Sequence, residues 1–488
     1  MKKKIAIIGG GIAGLSTAFF LQEKLQEQAL SADILLMESE GRLGGKIISE
    51  RVGDFMIEGG PDSFLSQKPW GLTLCRKLGL FDRIVQTNPR DKAIYILSQG
   101  KLQKFPEGMN LMIPGKVAPF LLTPLVSSFG KARMGLDLLI PRKKEAPAES
   151  EMTGCVGPVE EESIGAFVRR RLVEEAVETF AGPILATIYA GDVEKLSLQA
   201  TFPQFSAMEE KFGSLIWGGW MRRWDTHLTK RTAKKEQACF SLFISLKDGL
   251  STLINALRDQ LSAVELQTGQ SVLSVSPKEN QYEIVLANQK LLVDAVVITT
   301  DAMIAAQFIK PWDANLSLHL SSIPYVSTAT VSLGFRRKDV AHLLNGFGYV
   351  IPRAERKIIL AVTWSSTKFE GRAHTEDVLI RSFVGGAHQE EAVDLSNTEL
   401  VDAVLKELRP VLGISGEPTL SRVYKWRKAN PQYNVGHLSK IAEIEKELAK
   451  RPGLFLAGAA YRGVGIPDCI QQGWETAEKM SRFLKSAL

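Results

Sequence analysis

The run Lys4-Ile5-Ala6-Ile7-Ile8-Gly9-Gly10-Gly11-Ile12-Ala13-Gly14-Leu15 opens the chain, and the reading of everything after it starts here. Four apolar residues lead straight into Gly9-x-Gly11-x-x-Gly14, and Ile12 to about Gln28 reads as an amphipathic helix. Its apolar side is Leu15, Ala18, Phe19 and Leu25, with the polar Gln22 as the exception. In such a turn Gly9 permits the strand-to-helix bend, Gly11 lets backbone approach a pyrophosphate, and Gly14 lets the helix pack close to the sheet. Phosphates then rest on the positive end of that helix, at the backbone of Gly10, Gly11, Ile12 and Ala13. A second strand, Asp33 to Glu38, ends on an acid 24 residues beyond Gly14. An acid there accepts the two hydroxyls of an adenine ribose and repels a phosphorylated one. Strand, turn, helix, second strand and terminal acid in this order predict a dinucleotide site.

Composition narrows the class. The chain has 488 residues, enough for two or three domains, with 45% apolar and 23% charged residues. Its net charge of +6 comes from 60 basic and 54 acidic residues, a mild bias without a nucleic-acid footprint. Cys75, Cys155, Cys239 and Cys469 are widely separated and show no C-x-x-C spacing. They read as reduced thiols of a cytoplasmic protein, with no disulfide framework and no metal site. Met1-Lys2-Lys3-Lys4 precedes a strand rather than a signal sequence. The most apolar stretch, 117–130, contains two prolines and falls short of the roughly 18–20 residues that span a bilayer.

Two further strings extend the nucleotide-binding unit: Glu38-Ser39-Glu40-Gly41-Arg42-Leu43-Gly44-Gly45-Lys46 and Glu58-Gly59-Gly60-Pro61-Asp62-Ser63-Phe64. Together with the opening turn they resemble the extended fingerprint of the flavin amine oxidase and protoporphyrinogen oxidase superfamily. The resemblance implies non-covalent FAD, with Ser39, Arg42, Gly45 and Lys46 closing over its diphosphate and Gly60-Pro61-Asp62-Ser63 beside the flavin ring. Ile188-Tyr189-Ala190-Gly191-Asp192, Leu196-Ser197, Thr201-Phe202-Pro203, Gly346-Phe347-Gly348 and Phe383-Val384-Gly385-Gly386 resemble segments of the protoporphyrinogen oxidases in particular.

The remaining chain supplies elements around these strings. A helix is predicted from Lys68 to Leu80, and a β-hairpin over Ala93–Leu97 and Lys101–Phe105. Residues 111–140 read as short apolar helices that cover a cavity or touch a membrane face, and 141–162 as a mobile loop. Ser163 is predicted to cap one helix to about Phe180, with Arg169-Arg170-Arg171 on its solvated flank and attraction of substrate carboxylates as the competing reading of the triplet. Trp217, Trp220 and Trp224 have the spacing of a helical core stripe. β-rich runs from Ser327 to Val384 and a helix at Ser396–Leu408 suggest an antiparallel sheet with helices behind it. Gly453 to Gly458 reads as a strand ending in glycine, and Tyr461-Arg462-Gly463-Val464-Gly465-Ile466-Pro467 leads into the last helix. Glycine-flanked N–H groups at that helix start suit the N1–O2 edge of a flavin, where they favour added negative charge.

The expected architecture is α/β: a Rossmann-like FAD-binding domain assembled from 1–90, 240–300 and 423–488. An α+β substrate domain with an antiparallel sheet is expected from 91–110 and 301–422, and a helical region from 111–239. By resemblance, Val272 binds adenine through its backbone, and Trp426, Gly458, Val464, Gly465 and Ile466 complete the cofactor set. Ile188 and Phe347 are substrate candidates, with a plain core aromatic as the competing reading of Phe347. Lys68 is either a partner for a substrate carboxylate or a solvated lysine at a helix start. No side chain is expected to act as a catalytic acid, base or nucleophile.

The resemblance implies oxidation of a porphyrinogen, coproporphyrinogen III or protoporphyrinogen IX, in heme biosynthesis. Three hydride transfers to flavin N5 would give the porphyrin, with O2 as acceptor and H2O2 as product. Handover to a ferrochelatase and peripheral membrane contact belong to the same expectation. An amine oxidase or carotenoid desaturase shares the fingerprint, and a GDP-dissociation-inhibitor-like binding protein shares the architecture without flavin.

Overall fold

The computed structural model describes residues 2–110, 112–142, 161–221 and 240–486. The loop expected at 141–162 and the third tryptophan of the stripe, Trp224, lie almost wholly or entirely outside the described residues. The chain forms two compact units: 1–87, 240–324 and 440–488 in one, 88–239 and 325–439 in the other.

The first unit is built on a five-stranded sheet. Strand β1 (Lys3–Ile8) lies at its centre, flanked by β2 (Ala32–Glu38) on one side and Ala295–Ile298 on the other. Val264–Thr268 and Leu454–Leu456 complete it at the two edges, and all four pairings are parallel. Ile5 and Ile7 are fully buried, as strands covered on both faces require. The chain leaves β1 at the point where strand order reverses, so a crevice opens at the carboxyl ends of β1 and Ala295–Ile298. Helix α1 (Ile12–Glu27) packs on this sheet and along the last helix, Ile466–Ser486. Gly473 permits the second contact, because a Cβ there would lie 2.8 Å from Ser16 Cβ. Gln22, the polar exception of the helix, is buried and satisfied: Nε2 donates to the Gln260 carbonyl and Oε1 accepts from the Ala263 N–H, both at 2.9 Å.

The second unit holds a seven-stranded sheet in the order Leu420–Pro431, Tyr325–Arg336, Asp377–Gly385, Ile359–Trp364, Gly348–Val350, Ile94–Ser98, Lys101–Lys104. It is antiparallel except where Gly348–Val350 runs parallel to Ile94–Ser98. The helix Asn397–Leu412 covers one face over Val331, Leu333, Phe335 and Ile380. Its start is fixed by a capping box in which the Ser396 N–H donates to Glu399 Oε2 at 2.7 Å and the Glu399 N–H to Ser396 Oγ at 3.2 Å. The other face, at Ile96, Val350 and Ala361, meets the helical segments before residue 216.

Four expectations need correction. Helices Ala302–Ile309 and Ala314–Ser321 belong to the first unit, anchored by Trp312 Nε1 donating to the Val275 carbonyl at 2.6 Å. Conversely Leu420–Pro431 belongs to the second unit, because it pairs along almost all of Tyr325–Arg336. The boundaries therefore fall at 324 and 439 rather than 300 and 422.

The helix capped by Ser163 ends at Arg171. Val173 is extended, with φ −166° and ψ 158°, a conformation its β-branched side chain favours. A wide π turn at Val177–Ala181 then runs into Gly182–Tyr189, where Pro183 has no N–H to offer the preceding turn.

The arginine triplet is not on a solvated flank. Arg171 is fully buried against Asp137 at 2.7 Å and also donates to the carbonyls of Ile140 and Gly213. Arg170 bridges Glu162 and Glu209, and only Arg169 faces water, among Glu174 and Glu194. Of the two described tryptophans of the expected stripe, Trp217 is exposed and Trp220 only half-buried.

Candidate functional site

The first unit brings the glycine turn, Glu38 and the C-terminal glycine loop to the carboxyl rim of the parallel sheet. Gly9 has φ +110°, a conformation open to glycine, and a Cβ there would meet Thr299 Oγ1 at 2.7 Å. Gly14 is held tighter: its Cβ would lie 2.0 Å from the Gly9 carbonyl oxygen. At Gly11 the situation reverses, because a Cβ there meets nothing within 4 Å. Gly11 also caps α1 without any side-chain hydrogen bond, and the first turn of the helix, from Ile12 and Ala13 on, carries no acid. The helix itself therefore supplies no anion at its positive end, and the space at the Gly11 Cβ position is open.

Glu38 ends β2 almost buried. Its Oε2 accepts from the Gly10 N–H at 2.7 Å, and its Oε1 accepts from the Glu40 N–H at 2.9 Å and Ser39 Oγ at 3.1 Å. The acid thus ties the glycine turn to the following loop while Oε2 keeps acceptor capacity. That loop folds back over the turn: the Gly44 N–H donates to the Gly10 carbonyl at 2.8 Å, and Arg42 Nη2 to the Gly45 carbonyl at 2.7 Å. Lys46 pairs with Asp301 at 2.9 Å, at the start of the helix that follows Ala295–Ile298. Gly60, Pro61, Asp62 and Ser63 form a half-buried turn in which Ser245 Oγ holds the Asp62 carbonyl at 2.8 Å. Val272 opens the strand Val272–Lys278 in the same unit.

The C-terminal loop leaves Leu454–Leu456, next in the sheet to Ala295–Ile298, on this same rim. Gly458 has φ +137°, and its N–H donates to Gln472 Oε1 at 3.2 Å. Gly463 has φ +115°, Val464 and Gly465 follow half-buried, and the last helix begins at Ile466 with Pro467 second. Asp468 accepts from the Gly465 N–H at 3.1 Å and takes Lys68 Nζ on both carboxylate oxygens, at 2.5 and 2.7 Å. Lys68 is therefore neither unpartnered nor merely solvated: it joins the start of helix α2 (Pro69–Lys77) to the start of the last helix. Burial pushes the thiol of neighbouring Cys469 up to about 12, with Asp468 adding to the rise and Lys46 and Lys68 opposing it. Cys75 is likewise raised to about 12 by burial, so both thiols are inert.

Three predicted residues lie in the second unit. Trp426 is half-buried on Leu420–Pro431, opposite Thr328, so the first unit does not gather it with the other cofactor candidates. Ile188 is 48% exposed near the end of Gly182–Tyr189. Phe347 is half-buried between two glycines whose neighbours allow no side chain: a Cβ would lie 2.3 Å from the Ala93 carbonyl oxygen at Gly346 and 1.9 Å from that of Val362 at Gly348. Its N–H donates to Ala93 and its carbonyl accepts from Trp364. Sequence reasoning passed over Thr299, Asp301, Gln472 and Asp468. Asp468 follows the quoted Tyr461–Pro467 motif directly, and an acid in the first turn of a helix was its only signal.

An uncapped helix start, a glycine opening on empty space and an acid at the end of the second strand fit an ADP-containing dinucleotide. The family model for flavin containing amine oxidoreductases matches residues 12–481, and the chain belongs to that family. Among its relatives, the coproporphyrinogen III oxidase of Bacillus subtilis (strain 168) is 37% identical, covering 97% of this chain and 96% of the relative. The coproporphyrinogen III oxidase of Staphylococcus aureus (strain NCTC 8325 / PS 47) is 35% identical, over 98% and 99%. Among solved structures, the putative protoporphyrinogen oxidase from Exiguobacterium sp. 255-15 superposes with a TM-score of 0.84 at 30% identity, covering 99% of both chains.

Proposed function

We propose that this chain is an FAD-dependent porphyrinogen oxidase of heme biosynthesis that takes coproporphyrinogen III and accepts protoporphyrinogen IX. The observation that carries the reading is the likeness to two coproporphyrinogen III oxidases along nearly the whole chain, through both units. Bound FAD would supply a hydride acceptor that O2 can reoxidise, which is chemistry no side chain here offers.

The protein's own contribution is binding and placement. The backbone from Gly9 to Gly14 would cradle the diphosphate, Glu38 would accept the ribose hydroxyls, and the Arg42–Lys46 loop would close over them. Val272 would meet the adenine, and Gly60–Ser63 with Gly458 and Val464–Ile466 would border the flavin ring. Trp426, Ile188 and Phe347, carried by the second unit, are kept as cofactor and substrate candidates. Phe347 suits a broad apolar macrocycle, since its glycine neighbours fix its backbone and the residue is only partly buried. A substrate carboxylate at Lys68 would have to share it with Asp468.

The setting is read as cytoplasmic, with product passed to a ferrochelatase. Among the described residues no helix is long and apolar enough to cross a membrane. Peripheral contact with an anionic bilayer is favoured by the exposed Leu122, Phe129 and Leu139, set among Lys116, Lys131, Arg133 and Arg142. The one acid between 112 and 142 is the buried Asp137.

The test is a side-by-side aerobic assay of the flavin-loaded protein with both porphyrinogens, following porphyrin, O2 and H2O2. Porphyrin formation with matching O2 uptake, greater with coproporphyrinogen III, is expected. Oxidation of neither substrate above the rate without protein would overturn the proposal.

A further inference from the structure

Asp468, the partner of Lys68, has no binding role above, yet it stands on the loop proposed to border the flavin ring. Asp468 lies in the first turn of the last helix, only 12% exposed, and turns back onto its own loop. Its Oδ2 accepts from the Gly465 N–H, and a Cβ at Gly463 would lie 2.5 Å from its carboxylate carbon. The carboxylate thus braces both glycines of the Gly463–Gly465 turn. Such a charge also carries a penalty for anything nearby that gains electrons. Lys68, held by both carboxylate oxygens, supplies the compensating cation from α2. A second pair, Lys46–Asp301, stands on the same unit's rim and is equally balanced.

We infer that Lys68 and Asp468 form a tuning pair: Asp468 shapes the Gly463–Gly465 turn, and Lys68 cancels the charge this requires, together setting how readily the bound flavin is reduced. The inference rests on the proposed placement of the flavin's pyrimidine edge against that turn. Neither residue is assigned contact with reacting atoms. The two charges act in opposite directions on the same equilibrium. Without Lys68, an uncompensated carboxylate disfavours added electrons; without the Asp468 charge, an uncompensated ammonium favours them. A purely structural brace behaves differently, because either loss would disturb the turn and move the equilibrium the same way.

The experiment measures the midpoint potential of bound FAD, by dye equilibration, in wild type, Lys68→Met, Asp468→Asn, the double variant and Lys68→Arg. Each single variant should change the reduced-to-oxidised ratio about tenfold, which is about 30 mV for a two-electron couple. The expected shift is downward for Lys68→Met and upward for Asp468→Asn, with the double variant and Lys68→Arg near wild type. Shifts of the same sign, or none, overturn the inference. If Asp468→Asn fails to hold flavin, the exposed Lys68→Met still decides: a fall supports the pair, and no change rejects it. A wild-type protein that binds no FAD under reconstitution refutes the functional reading itself. Wild type that binds FAD with potentials indifferent to both charges refutes the tuning pair alone.

Discussion

Substituting Gly11 by valine separates binding from folding more cleanly than any other change in the turn. Gly11 has φ −72° and ψ 178°, extended backbone that any residue adopts, and its Cβ position is empty to 4 Å. Valine is a poorer helix cap than glycine by about 1 kcal/mol, and the stiffer unfolded chain returns about 0.4–1 kcal/mol. Apoprotein stability should therefore stay within about 1 kcal/mol of wild type. The same three carbons would occupy the space assigned to the diphosphate. Overpacking of that kind costs about 1–3 kcal/mol, which weakens FAD binding about five- to 150-fold. Urea unfolding of the apoprotein and titration with FAD followed by flavin fluorescence give the two numbers. Affinity within twofold of wild type would refute the reasoning, because the diphosphate would then lie elsewhere. Loss of the apoprotein fold would refute it differently, by showing that the space at Gly11 is needed by the protein.

Gly14→Ala should do the opposite: with a Cβ 2.0 Å from the Gly9 carbonyl oxygen, the apoprotein should lose about 3 kcal/mol in urea unfolding, and an unchanged midpoint would contradict the close packing. Arg171→Met strands Asp137 in the interior and should cost about 3–5 kcal/mol, whereas the exposed Arg169→Met should stay within about 0.5 kcal/mol. Phe347→Ala should lower kcat/KM for porphyrinogen about ten- to a hundredfold through about 1.5–3 kcal/mol of lost positioning. FAD content and reoxidation of the dithionite-reduced protein by O2 should be unchanged; loss of flavin or fold would return Phe347 to the core.

The glycine turn was legible because its own geometry is local: the positive φ of Gly9 and the Gly9 carbonyl that excludes a side chain at Gly14 lie within the motif, although Thr299, which also crowds Gly9, does not. Gly9, Gly11 and Gly14 meet three different demands within six residues, and the sequence spacing states each of them. The glycines around Phe347 were visible in the motif, although the distant carbonyls of Ala93 and Val362 that require them were not. What escaped were contacts between distant segments. Nothing near Arg171 announces that Asp137, 34 residues earlier, will draw it out of water. The join between Lys68 and Asp468 closes 400 residues of chain, and a lysine at a helix start looks solvated until that partner appears. The unit boundaries failed likewise, because the strand Leu420–Pro431 is claimed by its ladder to Tyr325–Arg336 rather than by the segments that follow it. At Val173 a helical pattern is interrupted by one extended residue, just after the buried pair Arg171 and Leu172.

Anaerobic titration of the flavin-loaded protein with coproporphyrinogen III addresses the central claim most directly. The absorbance near ~450 nm belongs to the oxidised cofactor, so its loss reports electrons arriving from substrate before O2 takes part. One third of an equivalent of porphyrinogen per bound FAD should bleach the band completely, with porphyrin appearing in step and the band returning on admission of air. A flavin band that porphyrinogen leaves untouched, while dithionite still bleaches it, would contradict the account.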